Sequence, residues 1–89
     1  MSQPNRPTLT PEQQQQFTQM LPMIERIAHR AFRDRDPDTR EELTAEVVGL
    51  ALLMYTALVC RGCESVAYPT PLARYGVARV RDGRRAGSP

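Results

Sequence analysis

Two sets of residues in this 89-residue chain have chemistry to offer: the pair in Cys60-Arg-Gly-Cys63, and the arginines, which supply all 12 of its Lys and Arg positions. A closed zinc site takes four ligands. The chain holds two cysteines and one histidine, His29, so an intramolecular site is one ligand short unless a carboxylate joins. A redox pair wants its first cysteine at a helix N-terminus, where the dipole lowers the thiol pKa. Cys60 instead ends an apolar helical run, so Cys60 and Cys63 are read as small residues in a helix end and its cap. No metal or cofactor is called for. The sequence shows no nucleophile, base and ligand set and no glycine-rich phosphate loop, so catalysis is not expected.

The arginines offer a different chemistry, that of phosphate contact, because a guanidinium is a fork of donors that is always charged. Net charge is only +2, too near balance to argue for a polyanion by itself. Distribution says more. From Asp34 to Glu46 six acids (Asp34, Asp36, Asp38, Glu41, Glu42, Glu46) stand against Arg35 and Arg40, a local charge of −4. From Leu72 to Gly87 five arginines (Arg74, Arg79, Arg81, Arg84, Arg85) stand against Asp82, a local charge of +4. A molecule polarised in this way can meet two kinds of surface.

The elements that must position these charges are helical. Residues 1 to 9 are too polar and proline-rich to pack and are expected to form a flexible arm, leaving a single helical domain over 10 to 87. Thr10-Pro11-Glu12-Gln13 reads as a capped helix start. Phe17, Met20, Leu21, Ile24, Ile27, Ala28, Ala31 and Phe32 then recur at helical steps. Pro22 is expected to kink that helix or to split it in two. Glu25, Arg26, Arg30 and Arg33 are assigned to its solvated face, with His29 near the edge.

Asp36 before Pro37, and Asp38 ahead of Glu41, predict a second helix from about Pro37 or Thr39 to Arg61, ended by Gly62. Its second half, Val-Val-Gly-Leu-Ala-Leu-Leu-Met-Tyr-Thr-Ala-Leu-Val, is apolar nearly all round, as in the central member of a bundle or half of an interface. Leu43, Val47, Leu50, Met54 and Leu58 are expected to dominate stability, each worth about 1.5 to 3 kcal/mol when fully buried. Gly49, Tyr55 and Thr56 interrupt the run, which is shorter than the ~18 to 20 residues of a membrane span. No membrane association and a cytoplasmic location are expected. Thr70 before Pro71 predicts a third helix to about Arg85, in which Gly76 allows close approach to the second helix and Arg74, Arg81 and Arg85 project together. The fold class is all-α, a small bundle of three to four helices.

This order of segments, with Arg-Glu-Glu-Leu-Thr-Ala-Glu-Val-Val and then Pro-Leu-Ala-Arg-Tyr-Gly-Val-Ala-Arg-Val-Arg-Asp-Gly-Arg-Arg, resembles region 2 of bacterial sigma-70 family RNA polymerase sigma factors of the extracytoplasmic-function style. Glu42, Leu43, Ala45, Glu46 and Val47 stand in the places of the family's acid-leucine-x-Gln-acid-apolar pattern. Leu72, Arg74, Ala78, Asp82, Arg84 and Arg85 match the spacing of its next segment. Ala45 replaces the family's glutamine, Ala78 its asparagine and Pro71 its usual tryptophan, and no helix-turn-helix region follows. The resemblance spans roughly Leu21 to Arg85. It implies a sigma-like transcription protein in which Glu41, Glu42 and Glu46 meet a basic surface of core RNA polymerase and Arg74, Arg79, Arg81, Arg84 and Arg85 sit on DNA phosphates. The competing expectation from the residues alone is a small homodimeric interaction protein, paired through its apolar central helix and without DNA binding.

Overall fold

The computed structural model describes residues 9–86. Three helices, α1 (Pro11–Ala31), α2 (Pro37–Cys60) and α3 (Pro69–Ala86), pack against one another, with a single turn of 3-10 helix at Glu64–Val66 between the last two. The protein is a small all-α bundle, as its sequence patterning predicts. Of the expected arm, residues 1 to 8 lie outside the described residues, and Leu9 is half-buried against the core.

Each helix starts on chemistry written in the sequence. Thr10 and Gln13 form a reciprocal capping box: the Gln13 N–H donates to Thr10 Oγ1 (3.2 Å) and the Thr10 N–H to Gln13 Oε1 (2.9 Å), satisfying two otherwise orphaned donors. Asp36 caps α2 by accepting from the Thr39 N–H at 3.2 Å. α3 begins two residues earlier than the Thr70-Pro71 pair predicts. Pro69 and Pro71 both sit in its first turn, where a missing N–H costs nothing, and Tyr68 supplies the carbonyl that accepts from the Leu72 N–H.

The end of α2 explains the Arg-Gly-Cys segment. Gly62 adopts φ +73°, the Gly62 N–H donates to the Val59 carbonyl, and the Cys63 N–H donates to the Leu58 carbonyl at 2.7 Å. This is a Schellman termination, which needs a residue that tolerates the left-handed region. Cys60 is thus the last residue of α2, exposed, and Cys63 is partly buried just beyond the cap; both are free thiols.

Pro22 neither splits nor ends α1, which runs unbroken through it. Phe17 and Met20 before it and Ile24 and Ala28 after it belong to one buried face, so packing on both sides holds the helix together. Pro22 itself is exposed, leaving water to serve the carbonyl that lost its donor.

The core is built from Phe17, Met20, Ile24, Ala28 and Phe32 of α1 and its end, Leu43, Val47, Ala51 and Tyr55 of α2, and Leu72, Ala73, Val77 and Val80 of α3. The α2 set runs 43, 47, 51, 55, in place of the expected 43, 47, 50, 54, 58. Leu50, Met54 and Leu58 are half-buried at its margin. A helix that is apolar all round carries no stripe to reveal which side faces in, and the choice falls to the bulky neighbours: the Phe17 and Tyr55 rings meet with centroids 5.6 Å apart, tilted by 39°.

By length and composition α2 is able to cross a membrane, with a mean hydropathy of 1.9 over its most apolar 18-residue window. Here its Leu43–Tyr55 stripe is packed against α1 and α3, as in the core helix of a bundle.

Candidate nucleic-acid interface

The side chains that converge are arginines from two helices. Where α1 and α3 lie side by side, a groove is lined first by Met23, Arg26, Ile27, Arg30, Thr70 and Arg74. Further along, Arg30, Arg74, Ala78 and Arg81 share the groove wall. At the far end Arg30, Arg33 and Arg81 meet Asp34. Apolar Ile27, Ala31 and Val77 form the floor, and the arginines stand exposed on both rims. The helix spacing dictates this arrangement. Arg26 and Arg30 are four apart on α1, and Arg74 and Arg81 seven apart on α3, so each pair lies on one flank of its helix.

Arg81 is held in place. Its Nη2 donates to the Ala31 carbonyl at 3.1 Å, one of the acceptors left open at the end of α1, and its guanidinium lies 5.7 Å from the centre of the Phe32 ring. One arginine therefore ties the two rims together. Beyond it a cavity of about 300 Å³ is lined by Phe32, Leu43, Asp34, Arg35, Thr39 and Arg81.

The structure divides the arginines that the sequence groups. Arg74 and Arg81 line the groove. Arg79 is exposed but, five residues from Arg74, falls about 140° around the helix, on the opposite flank. Arg84 and Arg85 occupy the last turn of α3, and their side chains lie outside those described. Arg26, Arg30 and Arg33, assigned from sequence to a solvated face, join the groove instead. The signal that could have found them is their position just outside Ile27 and Ala31, which border the buried face.

The acids lie elsewhere. Glu41, Glu42 and Glu46 are exposed on the first half of α2. Glu41 turns toward α1, with its Oε2 3.4 Å from His29 Nε2, while Glu42 and Glu46, four apart, share a different stripe. Arg40 belongs to neither charged surface. Its Nη2 donates to the Arg35 carbonyl (3.0 Å) and the Arg33 carbonyl (3.4 Å), closing the turn between α1 and α2. Asp36 in that turn has its carboxyl held below the usual range by hydrogen bonds from Thr39, side chain first and then backbone N–H.

Among the described residues no three His, Cys, Asp or Glu side chains come together as a metal site. No protein-family model matches this chain, and no curated protein and no solved structure matches it either. Its functional reading rests on its own residues: an arginine-lined groove between two helices, and acids on the third.

Proposed function

We propose that this chain is a sigma-like transcription protein, in which the α1–α3 groove takes the phosphate backbone of DNA and the acidic half of α2 docks on core RNA polymerase. The observation that carries the reading is the convergence of Arg26, Arg30, Arg74 and Arg81 along one groove. Guanidiniums spaced along a groove neutralise successive phosphates and release their counterions, giving affinity without reading sequence. The apolar floor leaves room for a sugar or base edge between them.

The separation of charge supports the second half of the proposal. The groove arginines lie on α1 and α3 and Glu42 and Glu46 on α2, so one molecule can meet a polyanion and a basic protein surface together. Glu42 and Glu46 are exposed on the same helix that carries the family-like pattern. The work assigned to every residue is binding, with no catalytic step, and the site of action is the cytoplasm.

A pull-down with core RNA polymerase tests the reading directly. The folded protein should be retained at low salt and lost when Glu42 and Glu46 are both changed to Arg. Failure of the folded wild type to bind core at low salt rejects the sigma-like function. DNA affinity should fall steeply with salt, with a slope of about −3 to −4 in log K against log salt for four phosphate contacts at about −0.9 each; affinity that ignores salt rejects the groove.

A further inference from the structure

The most apolar helix of the protein is covered on one side only. Only 28% of the apolar window of α2 is buried, and its outward side carries Ala45, Gly49, Leu52, Leu53 and Ala57, with Val48 and Val59 half-buried beside them. Leu53 is 68% exposed and Leu52 38%. Val66 and Tyr68, in the segment that follows α2, are also exposed. Scattered exposed leucines need no explanation, but a contiguous apolar helix face marks an interaction surface.

The exposed residues share one side of the helix. Glu42, Glu46, Gly49, Leu53, Thr56 and Cys60 follow one another at alternating steps of four and three and so form one seam, in which Leu53 is the one large apolar side chain and which Ala45, Leu52 and Ala57 flank. A Cβ added at Gly49 would meet nothing within 4 Å, so the helix surface there is open to a close neighbour.

Charge selects the neighbour and its direction. The seam is acidic at its N-terminal end, through Glu42 and Glu46, apolar in the middle, and flanked at its C-terminal end by Arg61, which is exposed. Two copies aligned in parallel would stack acids on acids. Two copies aligned antiparallel about Leu53 bring Gly49 opposite the partner's Ala57, Ala45 opposite the partner's Arg61, and Glu42 and Glu46 alongside that arginine. The face is thus complementary to itself under a twofold rotation, the condition for an isologous dimer.

We infer that this protein self-associates into an antiparallel dimer through α2, with Leu53 at the twofold axis and Arg61 against Glu42 and Glu46 of the other copy. The seam is about 27 Å long at 1.5 Å per residue. A single helix face of that length falls below the ~800 Å² per partner of a standard interface, so the dimer is reversible and concentration-dependent. The dimer would occupy Glu42 and Glu46, the acids that the transcription reading gives to polymerase, so the two complexes exclude each other; the test below uses neither DNA nor polymerase, and its outcome is separate from that of the pull-down.

Sedimentation equilibrium of the full chain across a concentration series, without nucleic acid, tests it. Wild type should move from monomer to dimer. Leu53→Glu should weaken the dimer at least roughly tenfold, the loss expected of a central apolar contact, while circular dichroism and the melting point of the monomer hold, because the residue is exposed. Arg61→Glu should weaken it as well, and combining Arg61→Glu with Glu42→Arg and Glu46→Arg should restore it. With Cys60 and Cys63 changed to Ser, an equal mixture of Gly49→Cys and Ala57→Cys chains should cross-link between the two variants. Three results overturn the inference: a monomer at every concentration, a dimer indifferent to Leu53→Glu, or Gly49→Cys chains that cross-link only with one another, which would place the helices in parallel. Binding of monomeric wild type to lipid vesicles would overturn it too, by giving the face to a membrane.

Discussion

Gly76 of α3 and Val47 of α2 approach so closely that a methyl group on Gly76 would stand 2.8 Å from the Val47 carbonyl oxygen and 2.9 Å from its Cγ1. The contact sets the distance between the two helices, and with it the position from which α3 presents Arg74 and Arg81 to α1. Gly76→Ala should destabilise the protein by about 1 to 3 kcal/mol, the usual cost of overpacking. A gain in helix propensity of about 0.8 to 1 kcal/mol works against this, but the obstructing atoms include backbone, which cannot swing aside. Gly83→Ala, where nothing lies within 4 Å, isolates the propensity effect and should leave stability unchanged or raised. Urea unfolding of both variants measures the difference.

Tyr55 is fully buried and its hydroxyl donates to Gln16 Oε1 at 2.7 Å, with the Gln13 carbonyl at 3.3 Å. Tyr55→Phe keeps the ring contact with Phe17 and removes only this link to the first turns of α1. It should cost about 0.5 to 1.5 kcal/mol, and hydrogen exchange should show faster opening at the start of α1 than in α3.

How much of this was legible beforehand divides along a physical line. Features fixed by local chemistry were readable: the Thr10–Gln13 box, the Asp36 cap, the turn at Gly62, the close approach at Gly76. Features decided by packing were not. Nothing local says that Ala51 and Tyr55, and not Leu50 and Met54, turn inward on an all-apolar helix. Nor does Pro22 announce that the buried residues on either side of it will carry α1 through. The arginine groove joins residues more than 40 positions apart, and only the docking of α3 on α1 makes Arg26 and Arg30 neighbours of Arg74. Leu50, expected from sequence to be among the residues that dominate stability, is half-buried while Val47 is completely so, and Leu50→Asp should be milder than Val47→Asp. Thermal melts of the pair decide it.

Asp36 gives stability a dependence on acid. Its folded-state carboxyl sits below the ordinary value of 3.8 because Thr39 hydrogen-bonds its charged form. A group depressed in the folded state stabilises above its unfolded pKa, and the contribution is lost as pH falls through the folded value. The advantage of wild type over Asp36→Ala should therefore be fully present at neutral pH and shrink once the pH drops below 3.8. Melting points of both proteins across an acid series check the sign; a difference that grows toward low pH would contradict the cap.

The arginines can be separated by what each is asked to do. Arg74 lines the groove and, among the described residues, makes no hydrogen bond or ion pair of its own, so Arg74→Ala should weaken DNA binding, reduce the salt slope by about 1, and leave the melting point alone. Arg79 lies on the other flank of α3, and Arg79→Ala should leave the slope nearly unchanged. Arg81 serves both purposes. Removing its bond to the Ala31 carbonyl and its place over Phe32 should lower stability by about 1 kcal/mol, as well as weakening DNA binding. Arg81→Lys keeps the charge but not the planar fork, so it should recover more of the salt slope than of the melting point. If Arg79→Ala were to cost as much affinity as Arg74→Ala, the DNA would be following the outer surface of α3 and not the groove it forms with α1.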